Sequence, residues 1–140
     1  MSNYLKPDSI SDLHGISVQG LAHVGDAVYE LMVRTWLCTQ GSRAVKRLHD
    51  EAVLYVSAKA QAAKTEIIIP ELDEEEFMIY KRGRNSHLNN VPRGSTIEEY
   101  HIATGLETLF GYLYLSGRTG RLNELFEYII GEKIEGRHAT

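Results

Sequence analysis

Two apolar helical runs in this chain each set a carboxylate beside glycine, and that pairing restricts the possible folds more than any other feature. In the first, Leu21, Val24, Val28, Leu31 and Met32 recur at the spacing of one buried helix face, and Gly25-Asp26 interrupts them. Glycine inside a helix costs about 1 kcal/mol against alanine, so Gly25 predicts a neighbour that approaches too closely for a side chain. Asp26 is expected close to the buried face, where a carboxylate is expensive to desolvate unless something positive meets it. The second run, over 95–115, repeats the pattern: Glu107 lies among Ala103, Leu106 and Leu109 and is flanked by Gly105 and Gly111. Two such helices can cross closely and bring Asp26 to Glu107. Carboxylates placed side by side repel unless they share a proton or a cation. Oxygen ligands of this kind suit Mg²⁺, which keeps several waters and uses one or two protein carboxylates plus a substrate phosphate. The competing reading has each carboxylate bonded to a backbone group or an arginine.

The rest of the chain reads as helix after helix, without strand alternation. Residues 1–16 look irregular, punctuated by Pro7 and Gly15, and a first long helix is expected over 17–39. A second begins after Ser42, carries Val45, Leu48, Ala52, Val53, Val56 and Ala60, and is expected to continue to about Lys64. The Ile67-Ile68-Ile69 run before Pro70 reads as a helix end or a buried turn, because no partner strand is visible. Asp73 and Glu76 predict a capped helix over 73–84, followed by a polar, basic loop at 85–95. Ser95 or Thr96 then caps the second acidic helix, and a last helix spans 120–131. The expectation is an all-α, single-domain protein: an irregular segment at 1–16, a helical domain over 17–132 and a polar tail at 133–140.

A hydrophobic share of 43% with 24% charged residues is that of an ordinary globular domain, and no apolar run approaches a membrane span. The beginning of the chain lacks the basic start and apolar core of a signal peptide, and the single cysteine excludes an internal disulfide framework; together they suggest a reducing cytoplasm without a membrane partner. Cys38, near the end of an apolar helix, is expected to be a plain core thiol. The net charge of −4 argues against nucleic acid as a partner, but the charges are unevenly distributed. Acid gathers in Glu71, Asp73, Glu74, Glu75 and Glu76, whereas 81–93 holds Lys81, Arg82, Arg84, Arg93 and His87 with no carboxylate. That stretch can hold phosphate while the chain as a whole stays acidic.

The segment Leu21-Ala22-His23-Val24-Gly25-Asp26-Ala27-Val28-Tyr29-Glu30 resembles the signature helix of the ribonuclease III family. Its second acidic helix is similar to 103–115, from Ala103-Thr104-Gly105-Leu106-Glu107 onward. Together with Lys81-Arg82-Gly83-Arg84-Asn85, and with no double-stranded-RNA-binding domain following, the chain most resembles the mini-ribonuclease III branch of that family over roughly 15–130. The resemblance implies an all-helical endonuclease domain that acts as a homodimer and cuts double-stranded RNA with Mg²⁺, Mn²⁺ being a substitute. It implies precursor 23S ribosomal RNA as the substrate, ends bearing 5′-phosphate and 3′-hydroxyl, and leaves room for a ribosomal protein that presents the RNA. Asp26 then matches the signature aspartate and Glu107 the second-helix glutamate, as catalytic and metal-holding residues. Ala22 and Thr104 stand where full-length family members carry further carboxylates; the mini branch is similar in lacking them.

Around this pair, Glu30 lies one turn after Asp26 and is expected to support the site from behind, to meet metal through water, or to pair with Arg34. His23 and His101 read as packing or hydrogen-bonding residues, and Tyr100, Tyr112 and Tyr114 as core or interface. Lys81, Arg82, Arg84 and Arg93 are the expected RNA contacts, and A-form RNA offers them shape and backbone more than base sequence. Two rival readings stay open: a helical module of the same fold that binds RNA or ribosomal assemblies without cutting, and a helical interaction protein with an apolar dimer face.

Overall fold

The computed structural model describes residues 3–6, 13–41, 43–86 and 94–138, with the backbone alone for His14 and 132–138. Six α-helices make up the fold among the described residues: α1 Val18–Thr39, α2 Val45–Val56, α3 Ala58–Ile68, α4 Glu74–Arg84, α5 Ile97–Leu115 and α6 Thr119–His138. The helix starts follow their caps. Ser17 accepts from the Gly20 amide to open α1, while Asp73 with Glu76, and Thr96 with Glu99, form complete capping boxes at α4 and α5.

Two boundaries differ from expectation, and the isoleucine run is the helix end it reads as. The second apolar run is two helices, not one: Ser57 turns to extended backbone, ends α2, and its hydroxyl caps α3 by accepting from the Ala60 amide. The isoleucine run closes α3 at Ile68 and passes into a short 3₁₀ turn, Ile69–Glu71. The last helix runs from Thr119 to His138, beyond the apolar spacing that had suggested 120–131.

α5 is the axis of the molecule. It is apolar on nearly every side, and such a helix must be surrounded to be stable. α1, α4, α3 and α6 pack around it. Leu106, Leu109, Phe110 and Leu113 meet Tyr29 and Val33 from α1, Ile68 from α3, and Leu125 and Ile129 from α6 in one core. Tyr29 stands edge-on to Phe110 at 5.5 Å between ring centroids, and its hydroxyl donates to the Tyr55 carbonyl at 3.0 Å. A second tie joins α4 to α6. Glu76, 1% exposed, accepts from Arg121 through both oxygens at 2.8 and 2.9 Å, and Arg121 also donates to the Glu71 carbonyl at 2.7 Å. The guanidinium holds the Glu76 carboxyl below the usual carboxylate range, outweighing the effect of burial.

The buried stripe of α1 is rotated from the one the spacing suggested. Leu21, Gly25, Tyr29, Val33 and Leu37 face inward, Val24, Val28 and Met32 lie at the margin, and Leu31 is exposed. Gly25 is the reason: α1 turns the side with no side chain toward α5. Cys38 follows Leu37 by about 100° around the helix, so it is exposed and the expected core thiol is not found.

Candidate active site

The site is built where α1 crosses α5. A Cβ placed on Gly25 would collide with the backbone carbonyl of Glu107, and one placed on Gly111 would collide with the carbonyl of Leu21. Only two glycines let the helix backbones come this close, and the contact fixes what stands beside it. Asp26 leaves α1 next to Gly25, and Glu107 leaves α5 one turn before Gly111. The side chains of Asp26 and Glu107 come within hydrogen-bond reach of each other. The other glycine flanking Glu107 serves a different helix: Gly105 faces the ring of Tyr80, and Gly83 of α4 faces Thr108 and the Gly105 Cα. α5 therefore meets α1 through one glycine and α4 through another.

The desolvation expected at Asp26 falls instead on Glu107. Asp26 is exposed at the edge of the crossing, whereas Glu107 is half-buried beneath it. Burial first, and then the negative charge of Asp26, push the Glu107 carboxyl up to about 8, with the Gln61 amide acting in the opposite direction. Near neutral pH, therefore, Glu107 holds a proton beside Asp26, and a neutral partner is one way in which adjacent carboxylates are tolerated.

A cavity of about 180 Å³ opens over the pair. α1 lines it with Gln19, Ala22, His23 and Asp26, and α5 with Tyr100, Thr104 and Glu107. Ala22 and Thr104 are buried, and the Thr104 hydroxyl donates to the Tyr100 carbonyl at 2.9 Å, within its own helix. Neither contributes a carboxylate. Larger cavities of about 270 Å³ beside Cys38 and His49 and about 610 Å³ beside Trp36 and Lys64 contain no paired carboxylates. A shallow opening suits a polymer lying across the surface better than a small molecule enclosed in a pocket.

Among the described residues no lysine or arginine forms an ion pair with Asp26 or Glu107, and no third His, Cys, Asp or Glu completes a protein cage around them. Two hard oxygen donors with the remaining positions open to water are the donor set that Mg²⁺ accepts. The residues fit the ion.

Glu30 does not join the cavity. Its carboxylate pairs with Arg34 at 2.7 Å one turn further along α1, the last of the three roles its spacing allowed. Lys81, Arg82 and Arg84 occupy the last turn of α4, beside the Gly83–Gly105 contact and so near the stretch of α5 that bears Thr104 and Glu107. None of the three forms an ion pair among the described residues; Lys81 rests over the Phe77 ring and Arg84 over Tyr80. Arg93 and His87 lie outside the described residues. Gln61, which the motif spacing does not single out, is buried on α3, and its Nε2 donates to the Val56 carbonyl at 3.0 Å. Its signal was present: Gln61, Thr65 and Ile68 share one face of α3, so a glutamine occupies an apolar register.

Comparison with known proteins agrees with this geometry. The Ribonuclease III domain model matches residues 19–118, which contain both acidic helices and the basic end of α4. Mini-ribonuclease 3 of Thermoanaerobacter sp. is 48% identical over 107 residues, covering 76% of this chain and 75% of that protein. Mini-ribonuclease 3 of Streptococcus pneumoniae is 39% identical over 127 residues, covering 89% and 98%. A crystal structure of a protein from Fusobacterium nucleatum superposes with a TM-score of 0.78 at 34% identity, covering 87% of this chain and 94% of that one. Among the described residues, no helix is long and apolar enough to cross a membrane. With the glycine crossing, the paired carboxylates and these similarities in hand, the chain belongs to the ribonuclease III family, in its Mini-ribonuclease 3 branch, and is an endoribonuclease.

Proposed function

We propose that the chain is a Mg²⁺-dependent, cytoplasmic endonuclease of double-stranded RNA, with 17–132 as its catalytic domain and precursor 23S ribosomal RNA as its substrate. The observation that carries this reading is the Asp26–Glu107 pair, held together by the backbone contact at Gly25 and Gly111 and open to the surface. Asp26 and Glu107 would hold the ion, directly or through water. Bound there, Mg²⁺ makes water a better nucleophile and offsets charge that builds on the non-bridging oxygens of a phosphodiester. A cation held there would favour the ionised form of the Glu107 carboxyl, against the burial that raises it. The glycine crossing prevents the two carboxylates from drifting apart, which supplies preorganisation. Cleavage leaves a 5′-phosphate and a 3′-hydroxyl.

Lys81, Arg82 and Arg84, which form no ion pair among the described residues, meet the phosphate backbone beside the site, and Arg93 is proposed to extend that contact. Leu31 at 59% exposure and Leu54 at 67% are large apolar side chains left open on a single chain, which suits a homodimer. Two copies would set two sites and two basic helix ends along one duplex, with a ribosomal protein helping to present the RNA. Glu30 supports the signature helix by holding Arg34.

The test is Asp26→Asn assayed on a duplex RNA in Mg²⁺. Cleavage should be abolished while the fold and RNA binding persist. Full activity in the variant would overturn the assignment.

A further inference from the structure

The cavity of about 610 Å³, away from the carboxylate pair, has a lining with chemistry of its own. It lies where the C-terminal end of α1 meets α2 and α3. Trp36 and Tyr55 stand in its wall edge to face, with ring centroids 5.3 Å apart. Lys64, on α3, holds its ammonium 4.8 Å from the centroid of the Tyr55 ring. The other two charges of the lining offset one another: Arg43 pairs with Glu51 at 3.4 Å and also donates to the Leu37 carbonyl at 3.0 Å. Lys64 forms no ion pair among the described residues. The cavity therefore carries one uncompensated positive charge, on a half-buried lysine beside two aromatic rings. A cation resting over a ring is attracted to it but keeps its N–H donors for an acceptor that the ring does not supply.

A ligand that matches this wall brings a planar π face for Trp36 and an anion for Lys64. A nucleotide carries both. Any base can stack on an aromatic side chain, and phosphate takes charge-assisted hydrogen bonds from an ammonium. An acidic peptide would meet Lys64 and leave the rings unused. A lipid tail would find only Leu37 and Leu54 as aliphatic lining and would have to cover the Arg43–Glu51 pair. We propose that this cavity is a nucleotide site, separate from the Asp26–Glu107 pair, that takes an unpaired base against Trp36 and its phosphate on Lys64. Trp36 lies ten residues beyond Asp26 on α1, about 15 Å along the helix axis. The occupant is an unpaired nucleotide of an RNA strand or a free nucleotide, and the chemistry of the two is the same. Nothing in the site depends on metal at Asp26 and Glu107.

Trp36 is the only tryptophan of the chain, so its fluorescence reports on the site. The full chain, Lys64→Gln, Lys64→Met and Asp26→Asn are titrated in EDTA with AMP and with a short single-stranded oligoribonucleotide, and circular dichroism checks each fold. Methionine keeps the lysine stem over Tyr55 and carries the test if glutamine disturbs α3. The fluorescence should change saturably. The Lys64 variants should raise the half-saturating concentration by about tenfold, and Asp26→Asn should leave it within twofold. A response to the oligonucleotide alone supports the site with an RNA strand as its occupant; an equal response to AMP supports it with a single nucleotide. No saturable response to either ligand overturns the proposal. So does a response that the Lys64 variants leave within twofold of the parent, or one that Asp26→Asn abolishes.

Discussion

Replacing Glu107 with glutamine should reshape how the stability of the metal-free protein depends on pH. In the folded chain the Glu107 carboxyl is raised from 4.5 to about 8, chiefly by burial and secondarily by the Asp26 charge. Between those values the folded state holds a proton that the unfolded state releases. The corresponding stability is complete below pH 4.5 and is lost as pH rises through about 8. At about 1.36 kcal/mol per pH unit, a shift of this size has a ceiling of roughly 5 kcal/mol. Glu107 is half-buried beside an exposed partner, so solvent screening reduces the effect to about 1–3 kcal/mol. Glutamine keeps the shape and stays neutral throughout. Thermal unfolding followed by circular dichroism in EDTA should therefore find Glu107→Gln and the parent nearly equal near pH 4.5, with the variant gaining steadily as pH rises. By pH 9 the variant should unfold on the order of 5 °C higher. Adding Mg²⁺ at pH 9 should stabilise the parent and leave the variant unmoved. Parallel curves across pH 5–9 in EDTA would refute the reasoning, because they would mean that Glu107 does not titrate in that window.

Other consequences follow from the same packing. Gly25→Ala forces a methyl group into the Glu107 carbonyl, so it should lower the unfolding temperature sharply and abolish cleavage by separating α1 from α5; calorimetry with an RNA cleavage assay checks both. Arg121→Met leaves the buried Glu76 carboxylate without its partner and should cost about 3–5 kcal/mol in urea unfolding, with cleavage retained at temperatures where the variant is folded. Lys81→Ala, Arg82→Ala and Arg84→Ala together should weaken duplex RNA binding and flatten its salt dependence, lowering the slope of log K against log salt by about 0.7–0.9 for each phosphate no longer neutralised. A binding slope unchanged from the parent would remove the last turn of α4 from the RNA-binding surface.

Much of this site was legible in the sequence because its key contact is made by missing side chains. Gly25 and Gly111 are costly inside helices, and that cost announced a close crossing of the two acidic helices. The capping boxes at Asp73 and Thr96 were equally local, and so were the ends of α1 and α5. What stayed hidden depends on which face meets which neighbour. The spacing of α1 put Asp26 near the core, yet the helix turns Gly25 inward, leaving Asp26 exposed and Glu107 desolvated. Gly105 looked like a second contact for α1 and instead receives Tyr80 of α4. The break at Ser57 is a single cap inside an apolar rhythm that continues across it in phase. Arg121 lies 45 residues from Glu76, so only the folded packing assembles that pair.

Asp26 and Glu107 are proposed to hold jointly the ion on which cleavage depends. Crystals soaked in Mn²⁺ and measured at its absorption edge would locate the ion directly. An anomalous peak is expected over the α1–α5 crossing, ligated by Asp26, Glu107 or waters bound to them, and no such peak in Asp26→Asn. An active protein whose only ion sits away from both carboxylates would contradict it.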